Sequence, residues 1–179
     1  MRKKFLVFSK QEITKDDIIS ASKVLKSGWV GTGPIVKEFE KKFASFKNIN
    51  QSNVIALNSC TSALTLALKA LNFEPNSEII TTPMTFCSTI NSIVNARLKP
   101  VFVDINIETR NIDVDKIEEK ITKKTKALLI VHFAGLPCEM DKIMSIVKKY
   151  KLKLIEDCAH AIESEFNGKK TGTFGDFSC

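Results

Sequence analysis

The sequence predicts an α/β fold: a mostly parallel sheet with helices on both faces. Short apolar segments alternate with amphipathic segments of about 10 to 12 residues, the pattern of repeated βαβ units. Residues 127–131 are apolar at every position, as in a strand that is covered on both faces. A chain of 179 residues is long enough for one domain with a substantial core.

The first two predicted elements are helices. Residues 15–27 follow Thr14, a good N-cap, and carry Asp16 and Asp17 in the first turn, where the helix dipole favours negative charge. The second helix runs from Gly33-Pro34 to about Phe46, because proline suits the first helical position.

Strands and helices then alternate along the rest of the chain. Leu64, Leu68 and Leu71 recur at helical spacing, whereas the segments between the helices are short and apolar. The predicted strands are residues 54–57, 78–81, 100–104, 127–132 and 152–156, and the predicted helices are residues 61–71, 86–96, 113–121 and 139–150.

Composition excludes several classes of protein. No apolar run reaches the roughly 18 to 20 residues of a membrane span. Residues 1–8 are basic and then briefly apolar, without a signal-peptide cleavage site, so we expect a cytoplasmic protein with no membrane partner. The net charge of +7 is spread over several helices, which favours solvated faces and anionic small molecules over nucleic acid.

The five cysteines are odd in number and form no CxxC pair, so neither a disulfide framework nor a zinc site is expected. Cys158 and His160 lie close enough in sequence to share a metal ion. No other cysteine or histidine clusters with them in the sequence, and we therefore expect no metal site.

Ligands of open parallel sheets bind beyond the carboxyl ends of the strands. Residues 58–63, which read NSCTSA, lie at one such end and begin a helix. Backbone amides at a helix start can bind an anion, and Ser59, Thr61 and Ser62 add hydroxyl donors. A plain N-cap explains the same residues, so both interpretations stay open here.

Three further segments are candidates for contact with a ligand. Asp157 ends a predicted strand, where its carboxylate either points into a ligand crevice or caps the next turn. His160 either reaches the same ligand or is a buried, hydrogen-bonded histidine. Phe86 either stacks on a flat ring or packs in the core. Residues 28–34, GWVGTGP, form either a ligand-contacting loop or a turn between helices.

Taken in order, these segments resemble the DegT/DnrJ/EryC1/StrS family of sugar aminotransferases. The resemblance extends from Gly28 to Cys179, and the joint order of the motifs is far more specific than any one of them. The matching motifs are GWVGTGP at 28–34 with Phe39-Glu40, NSCTSAL at 58–64, TPMTF at 82–86, PVFVD at 100–104, HFAGLPC at 132–138, EDCAHA at 156–161 and GTFGD at 172–176.

The resemblance implies the large domain of a fold-type I transferase that depends on pyridoxal 5'-phosphate (PLP). Thr61 and Ser62 would hold the PLP phosphate, Phe86 would stack on the ring, Asp157 would pair with the pyridine nitrogen and His160 would lie near the ring hydroxyl. The residues expected to bind PLP are Ser59, Cys60, Thr61, Ser62, Phe86, Asp157 and His160, and those expected to bind substrate are Trp29, Gly31 and Thr32.

The family reaction implies the partners as well. Such enzymes transfer an amino group, commonly from glutamate, to a nucleotide-linked keto sugar, and they supply aminosugars for polysaccharide and related pathways. Family members are generally homodimers. We therefore expect a nucleotide-linked keto sugar, glutamate and a second copy of the chain as partners.

One departure from the family pattern concerns the lysine that forms the Schiff base with PLP. That lysine would follow Cys179 by about seven residues, so we expect no catalytic residue within this chain. Residues 1–179 would then be the N-terminal part of the large domain, with the small C-terminal domain absent. The alternatives are a non-catalytic binding fragment and a PLP-dependent sugar dehydratase of the same family.

Overall fold

The structure is a computed structural model that describes residues 11–179. The basic N-terminal segment and the expected absence of a signal peptide lie outside the described residues. The chain divides into two compact units, Met1–Ala56 and Leu57–Cys179, and each is described by itself. Within residues 11–179, no helix combines the length and the apolar character needed to cross a membrane.

The first unit contains the two predicted helices, α1 (Lys15–Lys26) and α2 (Pro34–Lys47). Thr14 caps α1 through a capping box: its hydroxyl accepts from the Asp17 amide, and the Asp17 carboxylate accepts from the Thr14 amide. Pro34 occupies the first turn of α2, as predicted. A short 3-10 turn, Gln51–Asn53, follows.

A compact loop joins these helices. Gly28 has a φ of +73°, the left-handed conformation that ends many helices. The Trp29 indole donates a hydrogen bond to the Thr32 carbonyl over 2.8 Å. Its ring lies directly against Gly33, where a Cβ atom would overlap the indole. Gly28 and Gly33 therefore shape the loop around the tryptophan.

The predicted strand at residues 54–57 is wrong, because these residues form no ladder with any strand among residues 11–179. A strand needs the backbone of a neighbouring strand for its hydrogen bonds, and apolar character alone does not supply it. Ile55 is accordingly 77% exposed.

The second unit is built on a five-stranded, fully parallel sheet. Parallel neighbours need crossover connections, and an α-helix supplies two of the four here. The strands are β1 (Glu78–Thr81), β2 (Lys99–Phe102), β3 (Thr125–Val131), β4 (Lys153–Asp157) and β7 (Phe177–Ser178). They lie side by side in the order β2-β1-β3-β4-β7. The helices are α3 (Cys60–Ala70), α4 (Cys87–Asn95) and α5 (Met140–Tyr150), and a small antiparallel hairpin pairs β5 (Glu165–Phe166) with β6 (Lys169–Lys170).

Alternate residues of each strand enter two cores on opposite faces of the sheet. Ile79 and Ile155 pack with Leu64 of α3 and Ile93 of α4. Their neighbours Ile80 and Leu154 pack on the other face, with residues of α5. This confirms the predicted parallel sheet with helices on both faces.

Residues 113–121 were predicted as a helix, but they form two separate 3-10 turns, Val114–Lys116 and Glu118–Lys120. The amides of Ile117 and Lys120 bond to carbonyls three residues earlier instead of four. Val114 and Ile117 are both buried against the α5 face. Burying them three residues apart suits the tighter 3-10 geometry, in which such side chains eclipse.

Candidate active site

Three segments of the second unit converge on the carboxylate of Asp157, at the carboxyl end of β4. The Cys60 thiol, in the first residue of α3, lies 3.7 Å from Asp157 Oδ1. The Thr89 hydroxyl, in the first turn of α4, donates to Asp157 Oδ2 over 2.9 Å. The positive ends of two helices thus border this carboxylate, and helix starts favour negative charge.

Asp157 is only 4% exposed, yet the described residues leave one acceptor position of its carboxylate unused. Its Oδ1 atom accepts from the Cys60 thiol and from the Ala159 amide, at 3.7 and 3.2 Å. Its Oδ2 atom accepts from Thr89 alone within the described part of the chain. Since each carboxylate oxygen offers about two lone-pair positions, Oδ2 can accept one further hydrogen bond. Asp157 therefore both caps the next turn and remains able to bind a donor.

The thiol of Cys60 points toward this carboxylate. Burial first, and then the charge of Asp157, raises the pKa of Cys60 to about 12. Burial, together with Cys60 and Asp157, likewise raises the pKa of Cys179 to about 12. Both thiols therefore stay protonated near neutral pH and are poor nucleophiles. Cys60 serves as a weak donor to Asp157.

The start of α3 has the features of an anion site. Ser59 caps the helix by accepting from the Ser62 amide over 3.1 Å, and the two hydroxyls share a 3.0 Å hydrogen bond. One hydroxyl hydrogen of this pair therefore remains to donate outward. The Ala63 amide bonds to the Ser59 carbonyl, whereas the Cys60 and Thr61 amides have no partner among the described residues. Ser59 can therefore cap α3 while the start of the same helix still has donors for an anion.

The two predicted ring contacts, Phe86 and His160, are exposed. Phe86 is the N-cap residue of α4 and is 74% exposed, so core packing does not explain it. His160 lies on the surface beside Phe133, with ring centroids 6.3 Å apart, and is not a buried histidine. Both side chains are therefore available to a ligand.

Glu156, the residue before Asp157, faces the opposite side of the sheet and has a different role. Its buried carboxylate accepts from the Gly172, Phe174 and Gly175 amides, each over 2.8 Å. The His132 ring completes the set: the Cys138 amide donates to Nδ1, so Nε2 carries the hydrogen and donates to Glu156 over 3.1 Å. Four donors fill the carboxylate, which holds the GTFGD loop against β4.

These donors determine the protonation of Glu156. Burial by itself raises its pKa, but hydrogen bonds from His132, Gly175 and Gly172 outweigh that effect and hold the pKa below the usual value. Gly175 is needed for a second reason, because a Cβ atom there would lie 2.6 Å from the Leu154 carbonyl oxygen. Sequence reasoning had grouped Glu156 with Asp157 and missed this bracing role.

The residues that could together bind a metal ion are not the pair Cys158 and His160 that the sequence analysis considered. It is His132, Glu156 and Cys158 whose ligating atoms lie within 4.8 Å of one another. Both His132 nitrogens and both Glu156 oxygens already take part in hydrogen bonds. We therefore interpret this cluster as part of the brace.

The predicted substrate residues Trp29, Gly31 and Thr32 lie in the Met1–Ala56 unit. Their contact with a substrate stays a prediction. Sequence reasoning also missed Thr89, whose only sequence signal is a second hydroxyl four residues after Thr85, one helical turn away.

Comparison with known proteins places these features in a family. The model of the DegT/DnrJ/EryC1/StrS aminotransferase family matches residues 11–179. The spore coat polysaccharide biosynthesis protein SpsC of Bacillus subtilis is 43% identical over 175 residues, 98% of this chain and 44% of that protein. The UDP-4-amino-4-deoxy-L-arabinose–oxoglutarate aminotransferase of Shewanella sediminis is 37% identical over 98% of this chain and 45% of its own length.

A solved structure shows the same architecture. The crystal structure of NtdA from Bacillus subtilis, with bound cofactor PMP (pyridoxamine phosphate), matches 89% of this chain and 37% of its own, with a TM-score of 0.82 and 36% identity. The likeness confirms the predicted fold class, and the chain spans less than half the length of each of these proteins. On the extent of the family match, the chain belongs to the DegT/DnrJ/EryC1/StrS aminotransferase family.

Proposed function

We propose that this chain is the N-terminal part of the large domain of a PLP-dependent sugar aminotransferase, and that the edge around Asp157 binds the cofactor. The observation that carries the proposal is the buried Asp157 carboxylate with one open acceptor position, bordered by the starts of α3 and α4. A buried acceptor of this kind suits a protonated ring nitrogen, which needs an anion as its partner.

The neighbouring residues fit the rest of PLP. The amides of Cys60 and Thr61, which have no partner among residues 11–179, and the remaining hydroxyl hydrogen of the Ser59–Ser62 pair would bind the phosphate. The exposed Phe86 ring would stack on the pyridine ring. His160 would approach the ring hydroxyl.

PLP, when bound, supplies an electron-withdrawing ring for the transfer of the amino group. Asp157 would keep the proton on the ring nitrogen, which the ring needs in order to withdraw electrons. The start of α3 would hold the phosphate end and thereby fix the ring against Asp157. Phe86 would cover one ring face and exclude water from it. The lysine and the small C-terminal domain that the family reaction requires would lie outside residues 1–179.

The names of the relatives support a nucleotide-linked sugar as substrate. The Shewanella relative is a UDP-aminosugar–oxoglutarate aminotransferase by name, and oxoglutarate is the keto acid that glutamate becomes when it gives up its amino group. SpsC is a polysaccharide biosynthesis protein by name. We propose glutamate as the donor, a nucleotide-linked keto sugar as the acceptor, Trp29, Gly31 and Thr32 as substrate contacts, and a homodimer as the working form.

The test uses the longest uninterrupted reading frame that contains this chain, purified with PLP. Glutamate should convert the bound cofactor to its amine form, seen as a shift of the absorption band, with one oxoglutarate released per site. Asp157→Asn should lower turnover about a hundredfold or more while cofactor binding falls much less. Glu163→Gln, an exposed carboxylate nearby in sequence, is the matched control. Bound PLP that glutamate does not change would contradict the proposed reaction.

A further inference from the structure

We propose that Thr89 is a positioning residue that orients Asp157, with Thr85 orienting Thr89 in turn. The inference rests on the proposed function, since it concerns how Asp157 meets the ring nitrogen of the cofactor. It assigns a role to the hydroxyls of the half-buried Thr85 and the buried Thr89, which lie outside the predicted cofactor contacts.

The direction of each hydrogen bond in this pair follows from donor capacity. The Thr89 hydroxyl donates its single hydrogen to the carboxylate oxygen Oδ2 of Asp157 over 2.9 Å. Thr85 and Thr89 are joined by a 2.7 Å hydrogen bond, in which Thr85 must therefore be the donor. The result is a directed chain from Thr85 through Thr89 to Asp157.

This arrangement departs from what hydroxyls usually do inside helices. Thr65 and Ser145 donate to the carbonyl four residues earlier in their own helices, over 3.0 and 2.9 Å. Thr89, fully buried in the first turn of α4, donates across to β4 instead. Its hydroxyl therefore acts on Asp157 and not on its own helix.

The consequence concerns rotation of the carboxylate. The Cys60 thiol and the Ala159 amide occupy Oδ1, but both contacts are long, at 3.7 and 3.2 Å. Thr89 makes the shortest hydrogen bond to Asp157, and it does so on the oxygen that keeps the open acceptor position. The Thr89 hydrogen bond thus fixes the plane of the Asp157 carboxylate and, with it, the direction of the open acceptor position on Oδ2.

The same segment also carries the proposed stacking residue. Phe86 lies between Thr85 and Thr89 in sequence and is the N-cap of α4, and the Thr89 amide bonds to its carbonyl over 3.1 Å. The loop that follows β1 therefore sets the stacking ring and the orientation of the carboxylate together.

The test measures the protonation of the cofactor directly and needs no turnover. Pyridoxamine phosphate labelled with ¹⁵N in its ring is titrated into the protein encoded by the longest uninterrupted reading frame that contains this chain, and both the Kd and the ¹⁵N resonance are recorded. Thr89→Val keeps the shape and removes the donor, and it should weaken binding about tenfold and move the resonance toward the unprotonated position. Thr89→Ser should behave like the unchanged chain. Ser88→Ala removes a neighbouring buried hydroxyl that does not contact Asp157, and it should change neither value.

The possible outcomes separate the two proposals. An unchanged Kd and resonance in Thr89→Val would overturn the positioning role and leave the proposed function standing. If the unchanged chain binds no pyridoxamine phosphate, or binds it with an unprotonated ring, the proposed function itself fails. Should Thr89→Val not fold, Thr85→Val decides: a weaker change in the same direction supports the inference, and no change overturns it.

Discussion

Glu156 and Asp157 are adjacent carboxylates with opposite environments. Successive residues of a strand point to opposite faces, so Asp157 faces α3 and α4 whereas Glu156 faces the GTFGD loop. Glu156 has four donors and no open acceptor position, and Asp157 has three donors and one open position. The difference separates a structural carboxylate from one that can bind a ligand.

We predict that Glu156→Gln lowers the free energy of unfolding by about 3 kcal/mol, because the NH₂ group of the new side chain would face backbone N–H donors in a buried site. Urea unfolding followed by circular dichroism measures the loss. Glu163→Gln, on the surface, should change stability by no more than about 0.5 kcal/mol. Equal effects of the two substitutions would contradict the bracing role.

The lowered pKa of Glu156 adds a pH dependence. The folded chain holds this proton more weakly than the unfolded chain, so its contribution is complete above the unfolded pKa and is lost as pH falls through the folded value. We expect unfolding curves of the unchanged chain to show a loss of stability as the pH falls below 4.5, the ordinary pKa of glutamate, and this loss should be smaller in Glu156→Gln. Parallel pH profiles for the two proteins would refute this origin.

Among the elements, the loop before β7 depends on one glycine. Gly175 lies so close to β4 that a Cβ atom would meet the Leu154 carbonyl oxygen at 2.6 Å, and its amide donates to Glu156. We predict that Gly175→Ala destabilises the chain by about 2 kcal/mol through backbone displacement.

Thermal unfolding of Gly175→Ala beside Gly31→Ala checks this prediction. A Cβ atom at Gly31 meets no atom within 4 Å, so that substitution should leave stability nearly unchanged. A Gly175→Ala protein as stable as the unchanged chain would show that the loop can move away from β4 at little cost.

Helices were predicted more accurately than strands, because a helix makes its backbone hydrogen bonds within itself whereas a strand needs a partner strand. The predicted helices at 15–27 and 139–150, which carry their own bonds and clear caps or apolar faces, agree with α1 and α5 to within about one residue. Residues 54–57 fail because they pair with no strand among the described residues. The two-residue strands β5, β6 and β7 were missed, because so short a segment shows no periodicity.

For the whole molecule, the net charge of +7 favours an anionic ligand, and so do the amides at the start of α3 that have no partner in the described part of the chain. We predict that pyridoxamine phosphate raises the melting temperature of the chain, since a ligand that binds only the folded state adds about 2.7 kcal/mol at a hundredfold excess over Kd. Differential scanning fluorimetry measures the shift.

Two control ligands test whether both the phosphate and the ring of pyridoxamine phosphate contribute to the rise in melting temperature. Pyridoxamine lacks the phosphate, and inorganic phosphate lacks the ring, so each alone should raise the melting temperature less than the intact molecule. If pyridoxamine without phosphate were equally effective, the role of α3 as the phosphate site would be wrong.

The sequence by itself determined the alternation of strands and helices and the family, because periodicity, caps and ordered motifs are local properties of the chain. It did not determine what each polar side chain contacts. Only the tertiary structure decided that Glu156 binds the GTFGD loop and His132, and that Thr89 binds Asp157 across 68 positions of sequence. Such contacts depend on which strands and helices meet, and that is set by packing of the two cores on the sheet and not by any local pattern.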